Sequence, residues 1–356
     1  MKFTADSLKK LSLSLLKGFG CNDNEAEIVA DHLVKANLSG HDSHGIGMLP
    51  MYGKQVASGG LFPNQTPELN DPVGAITTVD ARRGFGHHMA LLSLDHAMKT
   101  IPEHKVAILG MRNSGHVSRV GTYSEYCASK GYASIHMVNV VGHAPIVAPF
   151  GSRESAISTN PISMAMSVNK EPAPMLDMAT STVAFGKARV AHNKGVDMPE
   201  GCLIDNEGVP TINPSPMVEN RSGSLTAFGE HKGSGLGLFV ELFAGALVGR
   251  DTAASAEHMP DGAINALFSV ILDPSAFDDV GAYEARTKEF CEFIKGMNTA
   301  KGTDEVLLPG EPEIRSRKER GANGIEVDDQ TVAELLEIGT RFSLDESQLQ
   351  SLMQPA

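Results

Sequence analysis

The chain has 356 residues, an apolar fraction of 41% and a formal charge of −13 at pH 7. This length is sufficient for two or three domains with a sizeable core. The negative charge repels phosphate backbones, so we expect no nucleic-acid partner, and the absence of Trp disfavours a stacking platform for bases or sugars.

The first fifty residues read as two helices and a loop. Leucines recur at helical spacing within residues 4–16, and a second helical pattern runs from Asn24 to Leu38. Gly40 is a stop signal, so residues 39–52 (SGHDSHGIGMLPMY) begin as a loop, and a third helix is predicted at 48–56. The amphipathic N-terminus has no continuous apolar run with a cleavage site. We therefore expect a helix of the mature protein, no signal peptide and no membrane attachment.

The middle of the chain alternates between strand and helix patterns. Strand patterns cover residues 76–79, 105–111, 133–141, 162–168, 173–179 and 266–273. Helix patterns cover residues 89–98, 122–131, 183–195, 233–249, 282–297, 332–339 and 344–353. Residues 213–224 are predicted to be a loop, and Ser343 and Glu346 have capping-box spacing before the last helix. The pattern predicts a helical domain of residues 1–70 and 325–356 around an α/β domain of residues 71–324.

The usual phosphate-binding and metalloprotease motifs are missing from the sequence. The glycines of GEHKGSGLG and of ILGMRNSGHVSRVG do not have GxGxxG spacing, and there is no Walker motif and no HExxH. A Rossmann enzyme is therefore disfavoured on motifs alone. The four cysteines are far apart and form no CxxC pair, which favours a reduced, cytoplasmic protein.

HDSHG, residues 41–45, is the first candidate for chemistry. Histidine is the usual acid/base near neutral pH, and Asp42 and Ser43 are able to orient one ring nitrogen. The alternative is a surface loop whose polar groups cap the preceding helix. Zinc binding by His41, Asp42 and His44 is disfavoured because three ligands this close in sequence rarely reach one tetrahedral ion. We expect no metal site.

Two further stretches carry candidate ligands for an anion. His116 and Arg119 lie in the passage from a strand to a helix, where side chains and helix amides converge on ligands, although a satisfied loop histidine is the alternative. His231 and Lys232 come just before an apolar, glycine-rich helix. Its N-terminus suits a pyrophosphate, or the glycines serve tight packing instead.

Two more stretches have both a structural and a ligand-binding interpretation. Asp177 is a lone charge in an apolar run, and it either caps the next helix or holds a ribose. Pro309 and Gly310 precede a mixed-charge run that is typical of a solvated helix face, although it could also lie along a nucleotide.

The order of these motifs identifies a family. HDSHG, NSGHVSRVG, TNP, LDMATS with AFGK, PEGCLID with EGVPT, EHKGSGLGL, and LLPGE with ERGANGI together resemble the malate/L-lactate dehydrogenase-like family from about residue 5 to 350. The resemblance implies an α/β (α+β) fold in which a largely antiparallel, non-Rossmann sheet binds NAD or NADP beside a helical domain built from both termini. It also implies a small 2-oxo or 2-hydroxy acid substrate and a homodimer with active sites near the subunit interface.

The resemblance assigns roles residue by residue. His44 is expected to be the acid/base, with Ser43 and His116 in the pocket, although His116 takes that role in some relatives. Substrate contacts are expected from Met48, Tyr52 and Arg119. Dinucleotide contacts are expected from His44, Ser118, Arg119, Val120, Asp177, Met178, Ala179, Thr180, His231, Lys232, Pro309, Gly310 and Glu311.

Position 48 departs from the family pattern. Many relatives carry Arg there, where it binds the substrate carboxylate, and the Met48 thioether cannot replace a bidentate Arg. We hypothesise that Arg119 takes over the carboxylate or a cofactor phosphate.

The implied reaction is reversible hydride transfer between the nicotinamide and C2 of the acid, with protonated His44 supplying the proton in reduction. Alternatives are reduction of a cyclic imine carboxylate, a ureidoglycolate-type oxidation, a metal-dependent hydrolase and a non-catalytic binding protein. The choice between NAD and NADP stays open. Arg315, Arg317 and Lys318 either meet a 2′-phosphate or form solvated pairs.

Overall fold

The computed structural model describes residues 1–255 and 262–356. Its α-helices are α1 (Ala5–Gly18), α2 (Asp23–Leu38), α3 (Leu49–Ala57), α4 (Gly86–Met98), α5 (Ile101–His104), α6 (Gly121–Ser129), α7 (Phe185–Lys194), α8 (Ser215–Asn220), α9 (His231–Val240), α10 (Val280–Lys295), α11 (Glu311–Asn323), α12 (Asp329–Arg341) and α13 (Glu346–Leu352). Its strands are β1 (Lys2–Phe3), β2 (Glu68–Leu69), β3 (Ile76–Asp80), β4 (Val106–Ser114), β5 (Ala133–Val141), β6 (Ile162–Val168), β7 (Glu171–Met178), β8 (Leu203–Ile204), β9 (Pro210–Thr211), β10 (Ser224–Leu225), β11 (Ile264–Leu272) and β12 (Ile325–Glu326).

Side-chain caps fix where the first two helices begin. The Thr4 side chain accepts a hydrogen bond from the Ser7 amide, and the Asn22 side chain accepts one from the Glu25 amide. The helically spaced leucines then point into the protein, and all four are fully buried: Leu8, Leu11, Leu15 and Leu16.

The two ends of the chain share one hydrophobic core. Strand β1 pairs antiparallel with β12, and Phe3 faces Ile325 in that ladder. Buried residues of α1, α2 and α3 pack with Leu335, Ile338 and Leu349 from the C-terminal helices. The ends therefore pack together as the helical pattern indicated, while the predicted domain boundaries at residues 70 and 325 stay a prediction.

A seven-stranded sheet forms the centre, in the order β2-β3-β4-β11-β5-β6-β7. The β3–β4 pair is parallel and the other five pairs are antiparallel. This confirms the predicted mixed fold with a largely antiparallel sheet. Successive residues face opposite sides: Leu267 packs with the core under α4 and α6, whereas the Phe268 ring contacts Phe243 on the other side. We call that other side the outer sheet face.

Three local predictions need correction. Residues 213–224 contain helix α8 and the start of β10, so they are not all loop. The apolar helix begins earlier than expected, at His231, and continues from α9 as a π-helical segment, Glu241–Gly249. The predicted capping box is wrong, because Ser343 has a φ of +61° outside the helix and Asp345 caps α13 by accepting from the Gln348 amide.

Among the described residues, one stretch is long and apolar enough to cross a membrane by length and composition alone. It is His231–Gly249, with a mean hydropathy of 1.3 and 33% of the tested window buried in the fold. A packed helix of a soluble protein meets the same criteria, so this is weak evidence for a membrane span.

Candidate active site

The HDSHG stretch folds into two short 3-10 turns after α2, at Asp42–His44 and Ile46–Met48. The Asn37 amide of α2 holds them together: its Nδ2 donates to Asp42 Oδ1 (2.7 Å) and its Oδ1 accepts from the Ile46 amide (2.9 Å). A Cβ at Gly45 would lie 2.1 Å from that same Oδ1. Glycine is therefore required between the two turns.

His41 and Asp42 face helix α11. His41 Nε2 lies 3.1 Å from Glu313 Oε1, and both carboxylate oxygens of Asp42 accept from Arg320, at 2.6 and 3.0 Å. These contacts anchor the turn to the C-terminal part of the chain. In the part of the chain that the structure describes, no group of three His, Cys, Asp or Glu side chains is placed to hold a metal ion.

Ser43 and His44 face the other way. His44 Nδ1 lies 3.0 Å from Ser43 Oγ, and the His44 carbonyl accepts from Ser118 Oγ (2.7 Å). Burial lowers the pKa of His44 to about 4, with smaller contributions from His41 and Arg119. The imidazole is therefore neutral at pH 7, fixed at one nitrogen and able to accept a proton at the other.

His116 forms a second imidazole beside the first. The rings of His44 and His116 stack at 5.9 Å with an interplanar angle of 16°. Tyr52 Oη lies 2.8 Å from His116 Nδ1 and 3.4 Å from His87 Nε2. Burial lowers the pKa of His116 as well, with the charges of His44 and His87 adding to the effect. Tyr52 is buried against His116 and His87, and it does not line the cavity described next.

A cavity of about 770 Å³ opens in front of His44, a size within the range of cofactor sites. Its walls come from the HDSHG turns, from residues 118–120, 177–179, 181–184, 186–187 and 189–191, and from residues 326–328. Nine predicted site residues line it: Ser43, His44, Met48, Ser118, Arg119, Val120, Asp177, Met178 and Ala179.

The remaining predicted cofactor contacts lie outside this lining. Thr180 is buried and its Oγ1 donates to the Thr159 carbonyl (3.0 Å). His231 and Lys232 are exposed in the first turn of α9. Pro309, Gly310 and Glu311 sit at the start of α11, where Glu311 pairs with Lys295 and Pro309 lines a second groove on the outer sheet face.

Arg119 has a different environment from the one expected of a ligand-binding residue. Its side chain has no exposed surface; Nη1 donates to Glu125 Oε1 (2.9 Å), and Nε lies 3.1 Å from Asp177 Oδ2. Two carboxylates thus already neutralise the guanidinium. These contacts argue against the hypothesis that Arg119 binds the substrate carboxylate or a phosphate, and they favour a structural role.

The same ion cluster shifts the pKa values of Glu125 and Asp177. Burial alone would raise the pKa of Glu125, but the cations around it, Arg119, Lys35 and Arg317, lower it to about 2. Burial raises the pKa of Asp177, which Arg119 offsets only in part. Asp177 does not cap α7, because that helix has Ala184 at its N-cap and no side-chain cap.

Two of the three basic residues considered for a 2′-phosphate are engaged, and the third, Lys318, is exposed. Arg317 bonds Glu125 and Ser39, and Arg315 bonds Glu305. Arg315 and Arg317 therefore form ion pairs on this helix face, which fits the solvated face that the composition indicated.

Sequence reasoning missed two cavity residues, Lys187 and Arg189 of α7. Both are exposed, and the sequence pattern of this segment predicts a helix without a binding role. The available signal was local: a glycine at the start of a helix, followed by two basic residues in an otherwise acidic chain.

The family match and the relatives of this chain show an enzyme of the dehydrogenase class. The malate/L-lactate dehydrogenase family matches residues 3–336, and the chain belongs to this family. Family membership supports action on a 2-hydroxy acid.

The similarity to known proteins covers most of the chain. Hydroxycarboxylate dehydrogenase B of Escherichia coli K12 is 38% identical over 357 residues, which cover 99% of this chain and 98% of that protein. L-lactate dehydrogenase of Cupriavidus necator is 34% identical over 318 residues, which cover 89% and 91%. The structure of sulfolactate dehydrogenase from Methanocaldococcus jannaschii superposes with a TM-score of 0.86 at 31% identity, covering 98% of this chain and 99% of that one.

Proposed function

We propose that this protein is an NAD(P)-dependent 2-hydroxycarboxylate dehydrogenase that interconverts a 2-hydroxy acid and its 2-oxo acid. The observation that carries the proposal is the His44 imidazole, oriented by Ser43 and exposed to a cavity of cofactor size. A bound NAD or NADP supplies or accepts the hydride at C4 of its nicotinamide. The residues that would hold it are the cavity segments 118–120 and 177–179.

His44 handles the proton in this proposal. Because its pKa is lowered to about 4, the neutral ring is ready to take the hydroxyl proton when the hydroxy acid is oxidised. In reduction the ring must carry a proton, and the negative carboxylate of a bound 2-oxo acid favours the charged imidazole. His116, whose Nδ1 is engaged by Tyr52, is the second candidate for this role.

Replacement of His44 by Ala tests the assignment. Loss of a positioned acid/base is expected to lower kcat by at least about a hundredfold, with dinucleotide binding retained. Binding is measured from the fluorescence of NADH itself, since the chain has no Trp. His104→Ala, a histidine remote in sequence on α5, is the control. If His44→Ala keeps its turnover and His116→Ala loses it, His116 rather than His44 is the acid/base.

Substrate and cofactor are found with one matrix of assays. NADH and NADPH are each tested against pyruvate, oxaloacetate, 2-oxoglutarate, phenylpyruvate and piperideine-2-carboxylate. Oxidation of either dinucleotide by a 2-oxo acid supports the proposal, activity confined to the imine indicates a reductase of cyclic imine carboxylates, and activity with none contradicts it.

We also propose a homodimer in the cytoplasm. Helix α9, the π-helical segment and helix α10 carry apolar side chains that are 50–67% exposed in the single chain: Leu238, Phe239, Leu247, Phe290 and Phe293. A second copy would cover such a surface, which a soluble monomer rarely leaves open. The four cysteines are free, which fits a reducing compartment.

Sedimentation tests the dimer. The double variant Phe239→Glu/Leu247→Glu is expected to shift the protein to the monomer mass, whereas Val209→Glu, at an exposed valine outside this surface, leaves the dimer intact. A wild-type protein that sediments as a monomer would contradict the proposal.

A further inference from the structure

The proposed reaction requires a cation near His44. The carboxylate of a 2-oxo acid is one bond from the carbonyl whose oxygen faces the imidazole, so it must lie close to the HDSHG turns. In the described lining of the cavity the lysine and arginine side chains are Arg119, Lys187 and Arg189. Arg119 is committed to Glu125 and Asp177. Among the described residues of this chain, the cations left for the carboxylate are therefore those of helix α7.

Helix α7 contacts the HDSHG turns at Gly186. A Cβ at Gly186 would lie 2.8 Å from Ser43 Cβ, so the first turn of the helix packs directly against Ser43. Arg189 is three residues further on and shares that helix face, at roughly 5–6 Å between Cβ positions. Lys187 is offset by about 100° around the helix, and its charge acts on Cys202.

Asp328 and Thr331 line the same cavity between Arg189 and the turn that carries Met48. Arg189 interacts at longer range with Asp328, whose Oδ1 accepts from the Thr331 amide (2.9 Å) at the start of α12. Thr331 Cγ2 lies 3.5 Å from the Cβ position of Gly47, and Met48 follows in the lining.

Arg189 is available to a ligand. Arg189 is exposed and lines the cavity, and within residues 1–255 and 262–356 no carboxylate lies within 4 Å of its guanidinium. An unpaired guanidinium presents two parallel N–H donors, which match the two oxygens of a carboxylate.

We propose that Arg189 binds the substrate carboxylate and so fixes the oxo acid against His44. The inference rests on the proposed function and names the specificity-determining cation of the same site. It replaces Arg119 in that role and explains how an uncharged Met48 is tolerated in the cavity.

The test compares Arg189→Gln with the wild-type enzyme, using the 2-oxo acid that the wild type turns over best and the methyl ester of that acid. Loss of a charge-assisted, two-point contact is expected to raise KM for the acid by at least about tenfold. KM for the ester, which has no charge to bind, should stay near the wild-type value. Arg153→Gln, an exposed arginine paired with Glu207, is the matched control and should leave both constants unchanged.

Two further measurements separate binding from folding and from cofactor contacts. Met48→Arg added to Arg189→Gln is expected to recover the preference for acid over ester, which a misfolded cavity would not do. The NADH dissociation constant should be the same in wild type and Arg189→Gln.

The assignment is overturned if Arg189→Gln leaves KM for the acid unchanged, if it weakens NADH binding instead, or if Lys187→Gln causes the loss expected of Arg189→Gln. In each of these cases the wild type is active, so the proposed function survives. A wild type that turns over no 2-oxo acid overturns the proposed function and this assignment with it.

Discussion

Replacement of Arg119 by Met decides whether this side chain is structural or binds a ligand. The guanidinium has no exposed surface and lies against Glu125 and Asp177. In the variant Glu125 keeps Lys35 and Arg317, whereas Asp177 loses the cation at 3.1 Å. Removing one partner of a buried ion pair strands the other charge, so we expect the free energy of unfolding to fall by about 3–5 kcal/mol.

Protonation of Asp177 limits this loss and gives it a pH dependence. Burial already raises the pKa of Asp177 against the opposing effect of Arg119, so the pKa rises further in the variant. A carboxyl whose pKa is higher in the folded than in the unfolded state stabilises the protein most at pH values below the unfolded-state pKa. That stabilisation is lost as pH rises through the folded-state pKa. The deficit of Arg119→Met against wild type should therefore shrink between pH 7 and pH 5. Adding Asp177→Asn should recover at least about 1 kcal/mol at pH 7, because an amide needs no counter-charge.

Urea unfolding followed by far-UV circular dichroism measures these values, since the chain lacks Trp for fluorescence. KM for the oxo acid, measured on the folded variant, should stay near the wild-type value. A variant with wild-type stability and a KM raised tenfold would refute the reasoning and restore Arg119 as a ligand-binding residue.

Three other substitutions test the packing of the site and sheet. His136 lies between Ser269 Oγ and Ser134 Oγ, and burial lowers its pKa from an ordinary 6.5 to about 3. The fold therefore favours the neutral imidazole, and the protein loses stability as pH falls below 6.5. His136→Gln should reduce the urea-measured loss between pH 7 and pH 5 by about 2 kcal/mol; an unchanged loss would contradict this. Gly45→Ala should destabilise the protein by about 1–3 kcal/mol, because the new methyl meets the buried Asn37 amide; a wild-type melting temperature would contradict the clash. Gly186→Ala should lower kcat/KM by about tenfold with near-normal NADH binding, because it pushes α7 off Ser43; unchanged kinetics would show that the contact yields freely.

Local patterns predicted the framework of the fold well. The leucines of α1 lie at helical spacing and are buried, and the alternation in residues 133–141 produced β5 with Val138 inward. Such assignments depend on residues a few positions apart, so they can be made without knowing the tertiary structure. The capping box at Ser343 was wrong because a local rule cannot choose between two nearby caps. Asp345 is an equally good cap and lies closer to the helix.

The site was predictable only where one segment carries it. Ser43 and His44 were singled out because four polar residues share one turn. The role of Arg119 was not predictable, since Glu125 and Asp177 reach it from α6 and from β7, and no spacing rule relates those positions. Lys187 was overlooked because a lysine on a helix is usually solvated, and only the fold turns that helix toward His44.

The four polar residues of HDSHG divide their work according to the direction each side chain takes from one tight turn. His41 and Asp42 bind Glu313 and Arg320 of α11, and in doing so they attach the turn to the end of the chain. Ser43 and His44 are thereby left facing the cavity, with the His44 carbonyl held by Ser118. The imidazole is thus fixed from three parts of the sequence at once. A proton donor that must stay within hydrogen-bond reach of the substrate oxygen needs this rigidity. A loop attached only at its two ends would not hold one ring orientation.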